Sequence, residues 1–198
     1  STKLTTRQQR KVIAIGSSTG GVKALKEVIP YLPANFPGIV IIQHMPQGFT
    51  SSFARTLNQI SELTVKEAEK GEQIRPGVAL LAPGDFHLTV KKRGSKFVVQ
   101  LDQTAKINHQ RPAVDKTFLS LAQAGRQRVI GLLLAGMGQD GAAGLKKIKE
   151  AGGYTIAESE ETATIFGMPK RAINLGAVSE VLALPQIAQR LIKIVGNA

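Results

Sequence analysis

Apolar runs that alternate with helical patterns organise most of this 198-residue chain. The runs have the length of buried strands, and the segments between them space their apolar side chains three and four residues apart. Strands that alternate with helices predict an α/β fold, with a doubly wound, mostly parallel sheet and helices on both faces. The predicted strands are 11–15, 38–43, 78–82, 128–135, 154–157 and 177–182, and the predicted helices are 22–31, 49–60, 113–124, 141–151 and 185–195.

An additional antiparallel hairpin is predicted from residues 87–90 and 97–101, which flank the turn Arg93-Gly94-Ser95. The pattern contains no internal repeat and no interior linker, so residues 11–198 are expected to form one domain. Residues 1–10 are polar and lack apolar periodicity. They are interpreted as the end of a linker, because a signal peptide would need an apolar segment.

The composition narrows the classes of function. The 26 basic and 14 acidic residues give a net charge of +12, which favours acidic partners and raises nucleic acid as a candidate. The chain has two Tyr, no Trp and no nucleic-acid-binding motif, so no nucleic-acid partner is expected. It has no Cys, which permits a cytoplasmic location, and no apolar run long enough for membrane insertion. The three His residues lie far apart and show no HxxH or HExxH spacing, so no zinc site is expected. No other metal and no cofactor are predicted.

The turn after the first predicted strand reads Gly16-Ser17-Ser18-Thr19-Gly20-Gly21. Residues 16–20 have the GxSxG spacing of a nucleophile elbow, in which a tight turn lifts the central serine, Ser18, clear of the sheet. The same residues also suit a loop that binds phosphate through backbone N–H groups, or a plain structural turn. Residues 16–21 alone do not distinguish a nucleophile elbow from a phosphate loop or a structural turn.

Two further polar residues are predicted to lie near Ser18. The functional crevice of an open parallel sheet lies at the carboxyl ends of its strands. His44 follows the second predicted strand, and Asp140 lies in the glycine-rich loop after strand 128–135. A serine nucleophile needs a base and a group that orients the base, and His44 and Asp140 can fill these roles. Each also has a structural interpretation, His44 as a partly buried loop histidine and Asp140 as the N-cap of the next helix.

Acyl transfer also needs hydrogen-bond donors for the oxyanion. The candidates are the N–H of Thr19 and the N–H groups of the loop from Gly136 to Gly138. Met137 in this loop is a candidate for lining the site, or an apolar gap filler.

The chain order Ser, His, Asp differs from the order Ser, Asp, His of the α/β-hydrolase fold. The motifs and their order instead resemble the chemotaxis-receptor protein-glutamate methylesterase family, from about Lys11 to the last helix. The resemblance rests on the elbow and on Gln43-His44-Met45-Pro46, Gly48-Phe49-Thr50, Ala82-Pro83-Gly84-Asp85, Arg111-Pro112-Ala113-Val114-Asp115, Gly136-Met137-Gly138-Gln139-Asp140-Gly141 and Phe166-Gly167-Met168-Pro169.

The resemblance implies a cytoplasmic hydrolase that removes methyl groups from glutamate γ-methyl esters on the cytoplasmic helices of chemoreceptors and deamidates particular glutamines. It places the triad on Ser18, His44 and Asp140, with Thr19 beside the nucleophile and Met137 at the oxyanion loop. It also implies that the catalytic domain follows a receiver domain, which is not among these 198 residues. A small-molecule carboxylesterase and a non-enzymatic phosphate- or nucleotide-binding α/β module remain alternatives.

One motif departs from the family pattern. The family often has His directly before Arg-Pro, where this chain has Gln110 before Arg111-Pro112. The roles of Gln110 and its neighbour His109 therefore stay open.

Overall fold

A seven-stranded sheet lies at the centre of the computed structural model, which describes residues 3–197. In chain order the strands are β1 (Val12–Ser17), β2 (Ile39–Gln43), β3 (Thr64–Glu67), β4 (Val78–Leu81), β5 (His87–Arg93), β6 (Lys96–Asp102), β7 (Val129–Leu133), β8 (Tyr154–Glu158) and β9 (Glu180–Leu182). The large sheet has the order β3-β4-β2-β1-β7-β8-β9, and all its neighbouring strands are parallel. β5 and β6 form the predicted antiparallel hairpin.

Helices cover both faces of this sheet, which confirms the predicted fold class. They are α1 (Thr6–Gln9), α2 (Gly21–Val28), α3 (Phe49–Ile60), α4 (Val114–Gly125), α5 (Ala142–Glu150), α6 (Met168–Asn174) and α7 (Leu184–Gly196), with 3-10 turns at Ile29–Tyr31 and Arg126–Arg128. Side chains of α2, α3 and α7 pack into one hydrophobic core, whereas those of α4, α5, α6 and the hairpin pack into a second core.

The central strands supply side chains to both cores because successive residues of a strand point to opposite faces. In β1, Ile13 and Ile15 belong to the first core, and Val12 and Ala14 to the second. A strand buried on both faces reads as a continuous apolar run, which is why these strands were predictable from the sequence.

Strand β3 and helix α6 were not predicted from the sequence, and the predicted linker end contains a helical turn. Strand β3 is at the edge of the sheet and pairs only with β4. Only one of its four residues is buried, so it has no apolar run. Helix α6 is only seven residues long. Within the predicted linker end, α1 is a helical turn in which Thr5 and Gln8 form a capping box, and the Gln8 Nε2 donates to the Gly196 carbonyl (2.7 Å). The linker interpretation itself stays a prediction, and residues 1, 2 and 198 lie outside the described part.

Strands β2, β1 and β7 lie side by side in the middle of the sheet. The chain continues from β1 to β2 on one side and reaches β7 on the other, so the strand order reverses at β1. Such a reversal opens a crevice at the carboxyl ends of the strands. Across residues 3–197, no helix is both long and apolar enough to cross a membrane.

Candidate active site

Ser18 and His44 follow two paired strands directly. The last pair in the β1–β2 ladder is Ser17 with Gln43, and the N–H of His44 donates to the Ser17 carbonyl (3.1 Å). On its other side, the N–H of Ser18 donates to the carbonyl of Ala135, just beyond β7 (2.9 Å). Ser18 is therefore held between the chain segments that leave β2 and β7.

The Gln43 side chain distinguishes the two adjacent serines. The buried hydroxyl of Ser17 donates to the Gln43 Oε1 (2.5 Å), and the Gln43 Nε2 donates to the Ser18 carbonyl (2.9 Å). The Ser17 hydroxyl is thus engaged, whereas Ser18 is only half-buried and lines an open groove. A Cβ on Gly21 would lie 2.1 Å from the Gln43 Oε1, so this contact requires glycine. No role was predicted for Gln43 from the sequence, although a polar residue at the end of an apolar strand was a usable signal.

His44 and Asp140 are joined by a short hydrogen bond of 2.6 Å between Nε2 and Oδ2. The His44 side chain is 6% exposed and that of Asp140 3%, so water screens this contact poorly. An ionised carboxylate only accepts, so the proton lies on Nε2 and the Nδ1 lone pair is free. This Nδ1 is buried and has no hydrogen-bond partner among residues 3–197.

The arrangement therefore contains one of the two hydrogen bonds of a Ser-His-Asp chain. His44 is bonded to Asp140, and the Ser18–His44 hydrogen bond is not formed. Catalytic hydrogen bonds are often long in enzymes without substrate and tighten in the substrate complex.

Asp140 also accepts hydrogen bonds from the start of α4. Its Oδ2 accepts from the N–H of Val114 (2.7 Å), and its Oδ1 from the N–H of Asp115 (2.9 Å). Burial raises the pKa of Asp140, but the hydrogen bonds from His44 and these N–H groups outweigh burial and lower it. The interpretation of Asp140 as the N-cap of the following helix is wrong. Helix α5 has no side-chain cap at Gly141, and Asp140 caps α4 instead.

Asn108 and Asp115 also contact Asp140, and no role in the site was predicted for either from the sequence. The Asn108 Nδ2 donates to the Asp140 Oδ1 (3.0 Å) and to the Asp115 Oδ2 (2.9 Å). The Asp115 Oδ1 accepts from the N–H of Gly144 in α5 (2.7 Å). Burial, and then the nearby charge of Asp140, raise the pKa of Asp115 despite its hydrogen bonds. The two carboxyl groups thus share one amide and have pKa shifts of opposite direction.

The backbone N–H groups that are predicted as oxyanion donors differ in whether they have an acceptor within the chain. The N–H of Gly136 donates to the Ile165 carbonyl (3.0 Å) and is therefore not available. The N–H groups of Thr19, Met137 and Gly138 donate to no acceptor within the described chain. A Cβ on Gly136 would lie 2.8 Å from the Ser18 Cβ, so the loop packs directly against the elbow. Met137 is 67% exposed, so it is not an apolar gap filler.

Two adjoining cavities meet at His44. One, of about 380 Å³, contains Ser18 and Thr19, with Phe49, which is 63% exposed, at its edge. The other, of about 470 Å³, is polar and contains Lys106, His109 and Arg111. Both are also lined by His44, Met45 and Pro46. A substrate segment that lies across His44 would therefore contact an apolar wall on one side and a polar wall on the other.

Comparison with known proteins agrees with this fold. The family model described as CheB methylesterase matches residues 13–191, from β1 to within α7. The chain belongs to the CheB methylesterase family. Within this family, the catalytic domain of Thermotoga maritima CheB methylesterase has a crystal structure that superposes with a TM-score of 0.91. It is 49% identical, and the match covers 93% of this chain and 98% of that one.

Curated relatives of the CheB methylesterase family are longer than this chain. A protein-glutamate methylesterase/protein-glutamine glutaminase 2 from Pseudomonas aeruginosa is 51% identical over 183 residues, which are 92% of this chain and 52% of the relative. A protein-glutamate methylesterase/protein-glutamine glutaminase from Nitrosomonas europaea is 49% identical over 187 residues, 94% of this chain and 52% of the relative. The chain spans about half the length of the curated relatives it matches.

Proposed function

We propose that this chain hydrolyses glutamate γ-methyl esters of chemoreceptors and deamidates receptor glutamines, with Ser18, His44 and Asp140 as its triad. The observation that carries the proposal is the buried His44 ring, bonded to Asp140 through Nε2 with its Nδ1 free, next to Ser18 at the end of the neighbouring strand. The names of the relatives support the reaction and the protein-bound substrate.

In the proposed reaction, the His44 Nδ1 takes the proton from the Ser18 hydroxyl as Oγ attacks the γ-carbonyl carbon. The N–H groups of Thr19, Met137 and Gly138 stabilise the oxyanion. The imidazolium then protonates the leaving group, so an ester releases methanol and an amide releases ammonia. Water, activated by the same Nδ1, cleaves the acyl-serine and restores the enzyme. Asp140 stays ionised throughout and stabilises the imidazolium, in agreement with its lowered pKa.

The proposed partners follow from the same resemblance. They are the cytoplasmic helices of chemoreceptors and a receiver domain in the same polypeptide. The net charge of +12 supports an acidic partner, because it accelerates encounter with a negatively charged surface. Raising the ionic strength should then slow receptor demethylation, and a rate independent of salt would exclude such steering.

The test compares Ser18→Ala with Ser17→Ala. Release of radiolabelled methanol is measured with a methylated receptor and with a small free methyl ester. Ser18→Ala should abolish release from the receptor, whereas Ser17→Ala loses only the buried bond to Gln43 and should keep most activity. Near-normal activity of Ser18→Ala would refute the triad.

The two substrates separate the proposal from its alternatives. Release from the receptor much faster than from the free ester supports a protein substrate, whereas the reverse preference identifies a small-molecule carboxylesterase. A module that only binds phosphate or nucleotide would release methanol from neither.

A further inference from the structure

A tight turn beside the candidate site has an unusual backbone. Ile107 and Gln110 exchange both of their backbone hydrogen bonds (3.0 and 2.9 Å) across the two-residue turn Asn108-His109. Both turn residues have positive φ, 53° and 63°. Two-residue turns with two positive φ angles favour Asn followed by Gly, because a side chain at the second position is strained. Asn108 fits this preference, and His109 does not.

Of the two turn residues, only Asn108 makes side-chain hydrogen bonds with other described residues. Asn108 donates to Asp140 and Asp115. His109 is exposed and makes no hydrogen bond or ion pair with any residue between 3 and 197. Non-glycine residues held at positive φ cluster at active sites and ligand-binding sites. His109 lines the cavity of about 470 Å³ that also contains His44.

The wall around His109 is cationic. Arg111 is held by Asp85, through Nε (3.0 Å) and Nη2 (2.7 Å) to the same carboxylate oxygen. Lys106 lines the same cavity, is exposed, and lies within 4 Å of no carboxylate in the described residues. Among the described residues, Asp85 is the one acidic side chain that lines the cavity, and it is paired with Arg111. Neither Lys106 nor His109 is paired with Asp85 at hydrogen-bond distance, so both present donors to the cavity.

We propose that His109 and Lys106 form a subsite for an acidic side chain of the protein substrate, adjacent to the ester that reacts at Ser18. This inference rests on the proposed function. The cavity that holds the subsite and the groove that holds Ser18 share His44, Met45 and Pro46, so one substrate segment reaches both. Lys106 offers only donors, and the His109 ring offers at least one N–H donor, so a carboxylate can accept a hydrogen bond from each.

The experiment uses two helical peptides that carry one glutamate γ-methyl ester and differ at a single position one turn away, Asp in one and Asn in the other. The wild-type protein should hydrolyse the Asp peptide with kcat/KM about tenfold higher. His109→Gly and Lys106→Ala should each remove most of this preference through KM and leave the Asn peptide within about twofold of wild type. Lys193→Ala, in α7, is the matched control and should retain the preference.

His109→Gly also separates a binding role from a structural role. Glycine accepts the positive φ of the turn without strain, so its thermal midpoint should be no lower than that of the wild type. The subsite would be overturned if the variants lost kcat/KM equally on both peptides, or if His109→Gly had a lowered thermal midpoint. It would also be overturned if the wild-type protein did not prefer the Asp peptide. Hydrolysis of the Asn peptide reports the proposed function independently, and its absence in the wild type would overturn both.

Discussion

Asp140 and Asp115 cap each other's helices: Asp140 accepts from the start of α4, which contains Asp115, and Asp115 accepts from the start of α5, which follows Asp140. Asp140 accepts from Val114 and Asp115 at the start of α4, and Asp115 accepts from Gly144 at the start of α5. Each carboxylate satisfies N–H groups that a helix start leaves without intrahelical partners. The group that orients His44 is therefore fixed by the contact between two helices.

Asp140→Asn should reduce kcat by about 10⁴-fold, because Asn no longer holds the His44 tautomer that leaves Nδ1 free. It should also lower the thermal midpoint, since the new amide N–H₂ opposes the donors of Val114, Asp115 or His44. Both are measured on the purified variant. Glu180→Gln, a change in β9 that loses the ion pair to Arg190 of α7, is the control with normal kcat. A decrease of kcat of only a few-fold would show that Asp140 does no more than cap α4.

Asn108→Gly removes the amide that bridges Asp115 and Asp140 and keeps a residue suited to the positive φ. Hydrogen bonds to charged groups contribute about 1.5–3 kcal/mol each, so urea denaturation should show a loss of at least about 1.5 kcal/mol. We expect kcat to decrease by roughly ten- to a hundredfold, since a displaced Asp140 misplaces His44. Unchanged kcat in a destabilised variant would show that Asp140 is held without Asn108.

Gly136→Ala tests the contact between the glycine loop and the elbow. The added Cβ would lie 2.2 Å from the Met168 Sδ and 2.8 Å from the Ser18 Cβ. The flexible Met168 side chain can move, but the Ser18 Cβ is attached to backbone, so the elbow must shift. We expect kcat to fall by roughly a hundredfold. Gly196→Ala has open space at its Cβ and should keep normal kcat, and equal kcat in both variants would contradict the prediction.

Glu158→Gln should change how stability depends on pH. Glu158 is buried and accepts from the N–H of Ala135 (2.9 Å) and the hydroxyl of Thr162 (3.0 Å). Burial raises its pKa above the ordinary value despite these hydrogen bonds. From about pH 4.3 up to the raised pKa, the folded state binds more protons than the unfolded state. This carboxyl therefore contributes a stability that falls as pH rises through that window.

Gln does not titrate, so this contribution disappears in the variant. The unfolding free energy of Glu158→Gln, relative to wild type, should increase as pH rises from about 4.3 through the window, by about 1.4 kcal/mol for each unit of pKa shift. Urea denaturation at several pH values measures the difference. Asp115 titrates in both proteins, so its effect cancels. Parallel stability curves would contradict a raised pKa at Glu158.

The predicted fold agrees with the structure wherever burial leaves a pattern. β1, β2 and β7 are buried on both faces, and their apolar runs were recognised. β3 was missed because its half-exposed residues carry no apolar run.

The sequence by itself determined the parallel sheet and the neighbourhood of Ser18, His44 and Asp140, because residues that follow adjacent parallel strands must meet at one edge. Only the tertiary structure decided which helix Asp140 caps and which nitrogen of His44 is free. The same is true of the bridging role of Asn108. These properties depend on hydrogen bonds between residues 25 or more positions apart or across a strained turn, and local sequence patterns carry no information on the direction of such bonds.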